Sequence, residues 1–355
     1  MLRDDSIPLD PARFAAGLQD RLLAVLALSD GDPGDGLRRL IGAGLDRLPL
    51  PGHGHTLVRW QALAAVAGHD LALAKLYEAQ ADALAILAEC GPATLDRSAR
   101  SWGVWCADPP DTTVTADSWE EYMAGAALRL TGRKPWCSGA PRLSHALVGC
   151  RGGGGERLLA AVALDAAGVR VTNEGWQAVG MGRTRSVDVV FDGAPAVLVG
   201  TPGQYLRRPG FWHGAAGSAA CWWGAARAIG RRVHRAAAAH GEPHLHAHLG
   251  ATDAALAAAA AMLREAAAWI DAHPMDDARA VALRVRIVVE QAVQQTLWHA
   301  GRALGAGPLC REPAFAALMA DLPVFLRQSH AERDEAALAA ALVRQQPSEA
   351  HAWPL

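Results

Sequence analysis

Three stretches of the chain hold residue types at spacings that could do chemistry. Trp136 and Ser138 stand two residues apart in Thr131-Gly-Arg-Lys-Pro-Trp-Cys-Ser-Gly139, so on a strand both side chains share one side. There an indole could wall a flat ring while a hydroxyl bonds its edge; taken alone, the pair reads as a core aromatic beside a surface serine. His244-Leu-His-Ala-His248, with His240 and Glu242 nearby, offers imidazoles of the kind that hold zinc. Alternating histidines share a face only in an extended strand, and Pro243 with the helix after it argues against one, so no metal site is expected. Gly152-Gly-Gly-Gly155 could cradle a phosphate, but no Lys-Ser/Thr and no helix start follow it, and the run reads as a hairpin turn.

The elements that must position these residues show in the apolar pattern. Between residues 131 and 202, short apolar runs (146–148, 158–164, 187–191, 197–199) alternate with Gly, Asp and Pro, as buried strands do. Trp102-Gly-Val-Trp-Cys-Ala107 reads as a further strand. On either side the chain is rich in Ala, Leu and Arg at helical spacing. Helices are expected over 11–28, 36–45, from 56 and from 70, the last stopping at Gly91-Pro92. Beyond the strands, helices are expected over 215–239, 252–272, 277–303, 313–322 and 331–344. The fold class is therefore α+β: an N-terminal helical domain (1–98), a mostly antiparallel β-domain (99–205) and a C-terminal helix bundle (206–355).

Composition narrows the partners. With 51% hydrophobic residues, 20% charged and a net charge of −2 in 355 residues, no basic stripe for nucleic acid is present. The pairs Arg207-Arg208 and Arg231-Arg232 read as surface charges or local anion contacts. Six cysteines without a CxxC spacing fit a reducing cytoplasm. The first residues lack the apolar run of a signal peptide, and the alanine-rich stretch 251–262 carries Asp253, so no membrane span is expected.

The order of parts, with the local motifs, resembles the acyl-CoA dehydrogenase superfamily of flavoproteins over residues 56–342. Gly132-Arg-Lys-Pro-Trp-Cys-Ser-Gly139 is similar to the family's Gly-x-Lys-x-Trp-Ile-Thr/Ser segment, and Gly180-Met-Gly-Arg-Thr-Arg-Ser-Val-Asp-Val-Val-Phe-Asp192 to its Gly-x-Arg-x-Ser…Val-x-Phe-x-Asp element. The resemblance implies FAD, with FMN as the alternative, its ring beside Trp136 and Ser138. It puts Trp105 and Ala107 in the strand-loop that touches the flavin, and Gly305 and Gly307 near the adenosine or a neighbouring subunit. A homodimer or homotetramer is implied, as are a small acyl substrate such as a CoA thioester, and an electron acceptor or flavin reductase.

The departures carry information too. Ala107 replaces a threonine that would give the flavin a hydroxyl. Ala237 and His248 stand where the family's Arg and Gln hold the adenine half of FAD, and without that guanidinium the diphosphate loses a bidentate partner, which brings in FMN as the alternative. The family's carboxylate base, near the chain's end, falls on Ser329 or His330. His330 could act as base or proton relay, since imidazole titrates near neutrality; Glu332 is the carboxylate alternative, or simply part of an acidic first helical turn. The leading expectation is a flavin-dependent dehydrogenase of the acyl-CoA type. The Ser138-Gly-Ala140 form and His330 favour a flavin monooxygenase of the same fold, and Ala107, Ala237 and His248 a scaffold relative that has lost the chemistry.

Overall fold

The computed structural model describes residues 11–29, 31–96, 99–107, 109, 113–117 and 123–344, with side chains from residue 17 onward. Four helices come first: α1 (Pro11–Leu26), α2 (Pro33–Gly42), α3 (Thr56–Ala67) and α4 (Leu71–Cys90). Asp32 and Asp70 stand extended before α2 and α4, and their carboxylates accept from the otherwise unpaired N–H groups of the first turn. α3 has no side-chain cap of its own. Asp271, distant in sequence, serves instead, accepting from Gly54 N (3.0 Å), Thr56 N (3.0 Å) and Thr56 Oγ1 (2.6 Å). α4 ends at Gly91-Pro92 as expected, but Gly91 is extended rather than left-handed, so proline stops the helix.

Among the described residues seven strands follow: β1 (Trp102–Trp105), β2 (Val114–Asp117), β3 (Ala127–Cys137), β4 (His145–Arg151), β5 (Arg157–Ala163), β6 (Val169–Val171) and β7 (Val187–Leu198). β4, β2, β3, β7 and β5 form a ring, because β5 pairs with both β7 and β4; β1 lies outside β4 and β6 beside β7. The pairings are antiparallel except β1 with β4 and the single bridge of β2 with β4. Closing the ring hides strand edges that would otherwise invite pairing. Two apolar runs that the sequence separates, 187–191 and 197–199, lie in or just after one strand, since Gly193 takes φ +62° and pairing with β3 resumes beyond it. The four glycines form the β4–β5 turn.

The described residues beyond β7 form helices: α5 (Gln204–Arg207), α6 (Gly210–Ala239), α7 (Pro243–Ala272), α8 (Arg279–Leu304), α9 (Ala306–Arg311), α10 (Pro313–Phe325) and α11 (Glu332–Arg344). Two starts differ from expectation. α6 begins at Gly210 instead of 215. α7 begins at Pro243 instead of 252, because Glu242 accepts from His244 N (3.0 Å) and Leu245 N (2.7 Å) and proline fits the first helical position. Residues 244–248 are therefore helical.

α4 sits at the centre. Ala83, Ile86, Leu87 and Cys90 pack on Trp102, Leu147 and Leu159 of the strands. Leu73, Leu76 and Tyr77 join Trp60, Trp222, Ile229 and Val285 in the main helical core. α3 and α6 meet backbone to backbone at Gly224, where a Cβ would stand 2.6 Å from Ala64 Cα. No helix among the described residues is long and apolar enough to cross a membrane.

Candidate functional site

A cavity of about 240 Å³ lies where α4, β1 and α6 converge. α4 contributes Lys75, Glu78 and Asp82, whose spacing of three and four residues puts them on one face. Val104 and Cys106 face it from the end of β1, alternating with Trp105. Tyr205, Arg208, Phe211, Gly214 and Ser218 line it from the segment entering α6, Arg286 from α8, and Gln328 from the turn after α10.

Its lining is charged and largely paired. Lys75 Nζ donates to Glu78 Oε2 (2.8 Å), and Ser218 Oγ donates to Glu78 Oε1 (2.8 Å). Arg208, with its side chain only 3% exposed, donates from Nη1 to Glu89 Oε2 (2.7 Å), while its Nη2 lies 4.0 Å from Asp82 Oδ1. Burial works against the Arg208 charge, yet Asp82 and Glu89 outweigh it and hold its pKa above the ordinary value. Burial also pushes the Asp82 carboxyl up, with Arg208 and Arg59 opposing. Asp82 Oδ1 and Arg208 Nε are buried without hydrogen-bond partners. Burial likewise raises the Tyr205 phenol and the Cys106 thiol, which hydrogen-bond each other. Both are neutral near pH 7.

Glycine makes room for this charge. A Cβ at Gly210 would collide with Glu89 Oε2 and Arg208 Nη1, and one at Gly214 would stand 2.6 Å from Asp82 Oδ1. Arg286 ties the far wall together, donating to Ala215 O (3.0 Å) and Gln328 O (2.6 Å), with its guanidinium 4.9 Å from the Trp222 ring.

The residues singled out from sequence fall in several places. Trp105 is buried and donates its indole N–H to Ser138 O (3.2 Å), so it ties β1 to β3 and its neighbours Val104 and Cys106 face the cavity. Ala107 is exposed. Trp136 is 51% exposed in a left-handed conformation, φ 58°, at the end of β3. Ser138 Oγ lies 2.8 Å from Ser186 Oγ, which lies 2.8 Å from Thr184 Oγ1, which donates to Met181 O (2.7 Å). The Thr184 hydrogen is committed to the carbonyl, so Ser186 must donate to Thr184 and Ser138 to Ser186. Ser138 Oγ therefore offers only lone pairs to anything else. The loop before β7 is fixed in turn by Asp321, which accepts from Met181 N (2.5 Å).

His330 does not line the cavity; its side chain is 59% exposed, with Nδ1 3.4 Å from Asp334 Oδ1. The reason is local. Ser329 Oγ and Arg327 both bond Glu290, and Asp334 accepts from His330 N (3.2 Å), so 329 turns inward and 330 outward. Glu332 is exposed in the acidic first turn of α11, the bland placement. Gly305 (φ +63°) and Gly307 are exposed, with nothing near enough to meet a side chain. Ala237 is buried on α6, and His248 Nδ1 lies 2.9 Å from His299 Nδ1 on α8. Among the described residues no group of three or more His, Cys, Asp or Glu could hold a metal ion.

Arg208, which the sequence reads as half of a surface pair, is instead the most buried charge of the cavity. In Phe211-Trp-His-Gly214, at the start of α6, Phe211 and Gly214 line the cavity, and this aromatic run is a signal that the sequence carries.

The residues fit the ring of a flavin better than its dinucleotide half. Trp136 offers a half-exposed indole, and Ser138, two residues on in the chain, a hydroxyl oxygen with free lone pairs. Where the adenine half would be held, α6 offers a buried alanine and α7 a histidine engaged with another histidine.

No protein-family profile and no curated protein sequence matches the chain. Solved structures do. The dibenzothiophene monooxygenase TdsC from Paenibacillus sp. A11-2 aligns over 95% of both chains with TM-score 0.75 and 19% identity. Methanesulfinate monooxygenase MsuC from Pseudomonas fluorescens aligns over 97% of this chain and 96% of its own, with TM-score 0.75 and 17% identity. KijD3, in complex with FMN and dTDP-3-amino-2,3,6-trideoxy-4-keto-3-methyl-D-glucose, aligns over 96% and 95% with TM-score 0.77 and 20% identity. TdsC is also known with FMN bound. At these identities the likeness establishes the fold: that of the acyl-CoA dehydrogenase-like proteins.

Proposed function

We propose that the chain is an FMN-dependent monooxygenase acting on a small polar molecule held between α4, β1 and α6. The observation that carries this reading is the charged lining of the cavity. An acyl chain threaded through this lining would return no hydrogen bond to Asp82 Oδ1 or Arg208 Nε, which have no protein partner, a loss of roughly 1–3 kcal/mol for each. A polar substrate supplies those bonds. The fold-mates named as monooxygenases and the FMN-bound TdsC and KijD3 structures point the same way.

When bound, FMN reduced by a separate reductase supplies the electron pair that reduces one atom of dioxygen to water while the other passes to substrate. Trp136 would wall the ring, and Ser138 Oγ would accept a hydrogen bond from its edge. Lys75, Arg208 and Arg286 orient the substrate's acceptor groups. Asp82 is the group in the cavity placed to take a proton from substrate, the role that sequence reasoning gave to His330. A homodimer or homotetramer belongs to the same proposal.

Absorbance tests it. The purified chain should take up FMN in preference to FAD, and octanoyl-CoA should not bleach it without air. Trp136→Ala should weaken FMN binding at least ~10-fold, in the range of a lost stacking surface. Anaerobic bleaching by an acyl-CoA would return the reading to dehydrogenase, and a protein that takes up neither flavin would sink both. Asp82→Asn against His330→Ala separates the two proton acceptors: the true one should cost ~10²- to 10⁴-fold in turnover.

A further inference from the structure

A second chamber, of about 440 Å³, lies beside the charged cavity and has the opposite character. Leu50, Pro51, Ala85, Ala88, Pro209 and Met275 give it apolar walls. It reaches the surface where Ala88 is exposed and Met275 is 77% exposed.

The two spaces have neighbouring linings on the same two helices. On α4, Lys75, Glu78 and Asp82 face the cavity, and Ala85, Ala88 and Glu89 continue along that face into the chamber. On α6, Phe211 and Gly214 line the cavity, Gly210 and His213 the chamber. Between them stands the Arg208 guanidinium, gripped by Glu89 on the chamber side at 2.7 Å and only loosely faced by Asp82 on the cavity side at 4.0 Å. This point is filled by a charged side chain that Gly210 leaves room for, its guanidinium carbon 5.4 Å from the Tyr205 ring. His213, 2% exposed on the chamber wall, has no partner at Nε2, and burial lowers its pKa so that the ring is neutral.

We propose that the chamber is a second compartment of the ligand site, taking an apolar ring at the ligand's outer end, and that Arg208 is the movable partition that receives the ligand's anionic group. This rests on the reading of the charged cavity as the substrate site. The ligand class is a small aromatic or alicyclic molecule with a carboxylate or equivalent anion. Its ring occupies the space beside Ala85, Ala88 and His213, and its anion replaces Glu89 or Asp82 on Arg208. A charge-assisted contact to a buried guanidinium typically gives ~10-fold or more in affinity over the neutral analogue.

The test compares 2-naphthol with 2-naphthoate by equilibrium dialysis. The wild-type protein should bind both at one site, naphthoate ~10-fold or more tightly. Ala88→Trp, at an exposed position, should abolish both by filling the chamber, and Met275→Trp at the rim should weaken both. Arg208→Gln combined with Glu89→Gln, which removes both members of the ion pair together, should erase the preference for naphthoate and keep naphthol binding. Binding that ignores Ala88→Trp and Met275→Trp, or a naphthoate preference that survives the double variant, overturns the proposal. FMN titration of the same samples separates the two readings. Naphthol binding without FMN uptake keeps the chamber and removes the flavin assignment, whereas FMN uptake with no naphthol site removes the chamber.

Discussion

Replacing Gly224 by alanine should destabilise the protein, although the same change at Gly217 on the same helix should not. In a helix interior, Gly→Ala ordinarily gains about 1 kcal/mol by restricting the unfolded chain and improving helix propensity. At Gly224 the new Cβ would stand 2.6 Å from Ala64 Cα and 2.7 Å from its carbonyl carbon, with the carbonyl oxygen closer still. These are backbone atoms of α3, and no side-chain rotation relieves the contact. The two helices must separate along an interface that buries Trp60, Val66 and Trp222. Overpacking a core costs typically about 1–3 kcal/mol, and a shift of two whole helices belongs at the upper end, leaving a net loss of about 2 kcal/mol. At Gly217, seven residues earlier, the nearest atom is Trp60 Nε1 at 3.5 Å, an ordinary contact, so Gly217→Ala should be neutral or gain up to about 1 kcal/mol. Urea unfolding at one fixed protein concentration reads both. A Gly224→Ala protein as stable as the parent would show that α3 and α6 are not in backbone contact.

Asp271→Ala should cost about 2 kcal/mol, because one carboxylate supplies the N-terminal cap that α3 lacks; Asp271→Asn, keeping one acceptor, should recover part of the loss in the same unfolding assay. Stability should also fall in acid. Burial depresses the folded-state pKa of His213, so below its unfolded value of about 6.5 the unfolded chain binds the extra proton and unfolding is favoured as pH drops. His145 and His299, depressed by burial as well, add to the same slope. His213→Asn should flatten the dependence between pH 7 and 5 without removing it; an unchanged slope would mean that His213 is already protonated or exposed.

The architecture is legible in the sequence where a single element speaks for itself. The stop of α4 at Gly91-Pro92, the apolar runs of β4 and β5 and the span of α8 need only local chemistry. The start of α7 escapes a reading by apolar period, because its first turns carry histidines and are set by the Glu242 cap and Pro243. The cavity escapes for a different reason. Its lining comes from α4, β1, the α5–α6 segment, α8 and the turn after α10, so no local motif contains it. Arg208 looks like a surface charge until Glu89 and Asp82, more than a hundred residues away, are brought to it. Of the segment 327–330, Gln328 lines the cavity while His330 turns outward toward Asp334, a difference of facing that depends on Glu290 and Asp334 and not on local sequence.

The row of hydroxyls from Ser138 to Met181 O has a direction, and one atom sets it. Because Thr184 spends its hydrogen on a carbonyl, every hydroxyl upstream must point the same way, like a line of dominoes leaning toward Met181. Replacing Thr184 by valine would remove the end stop. Ser186 could then turn its hydrogen toward Ser138, and Ser138 could turn its own outward. A serine that had presented an acceptor would become a donor without being touched, so the polarity felt by a neighbouring ring is set from inside the loop before β7.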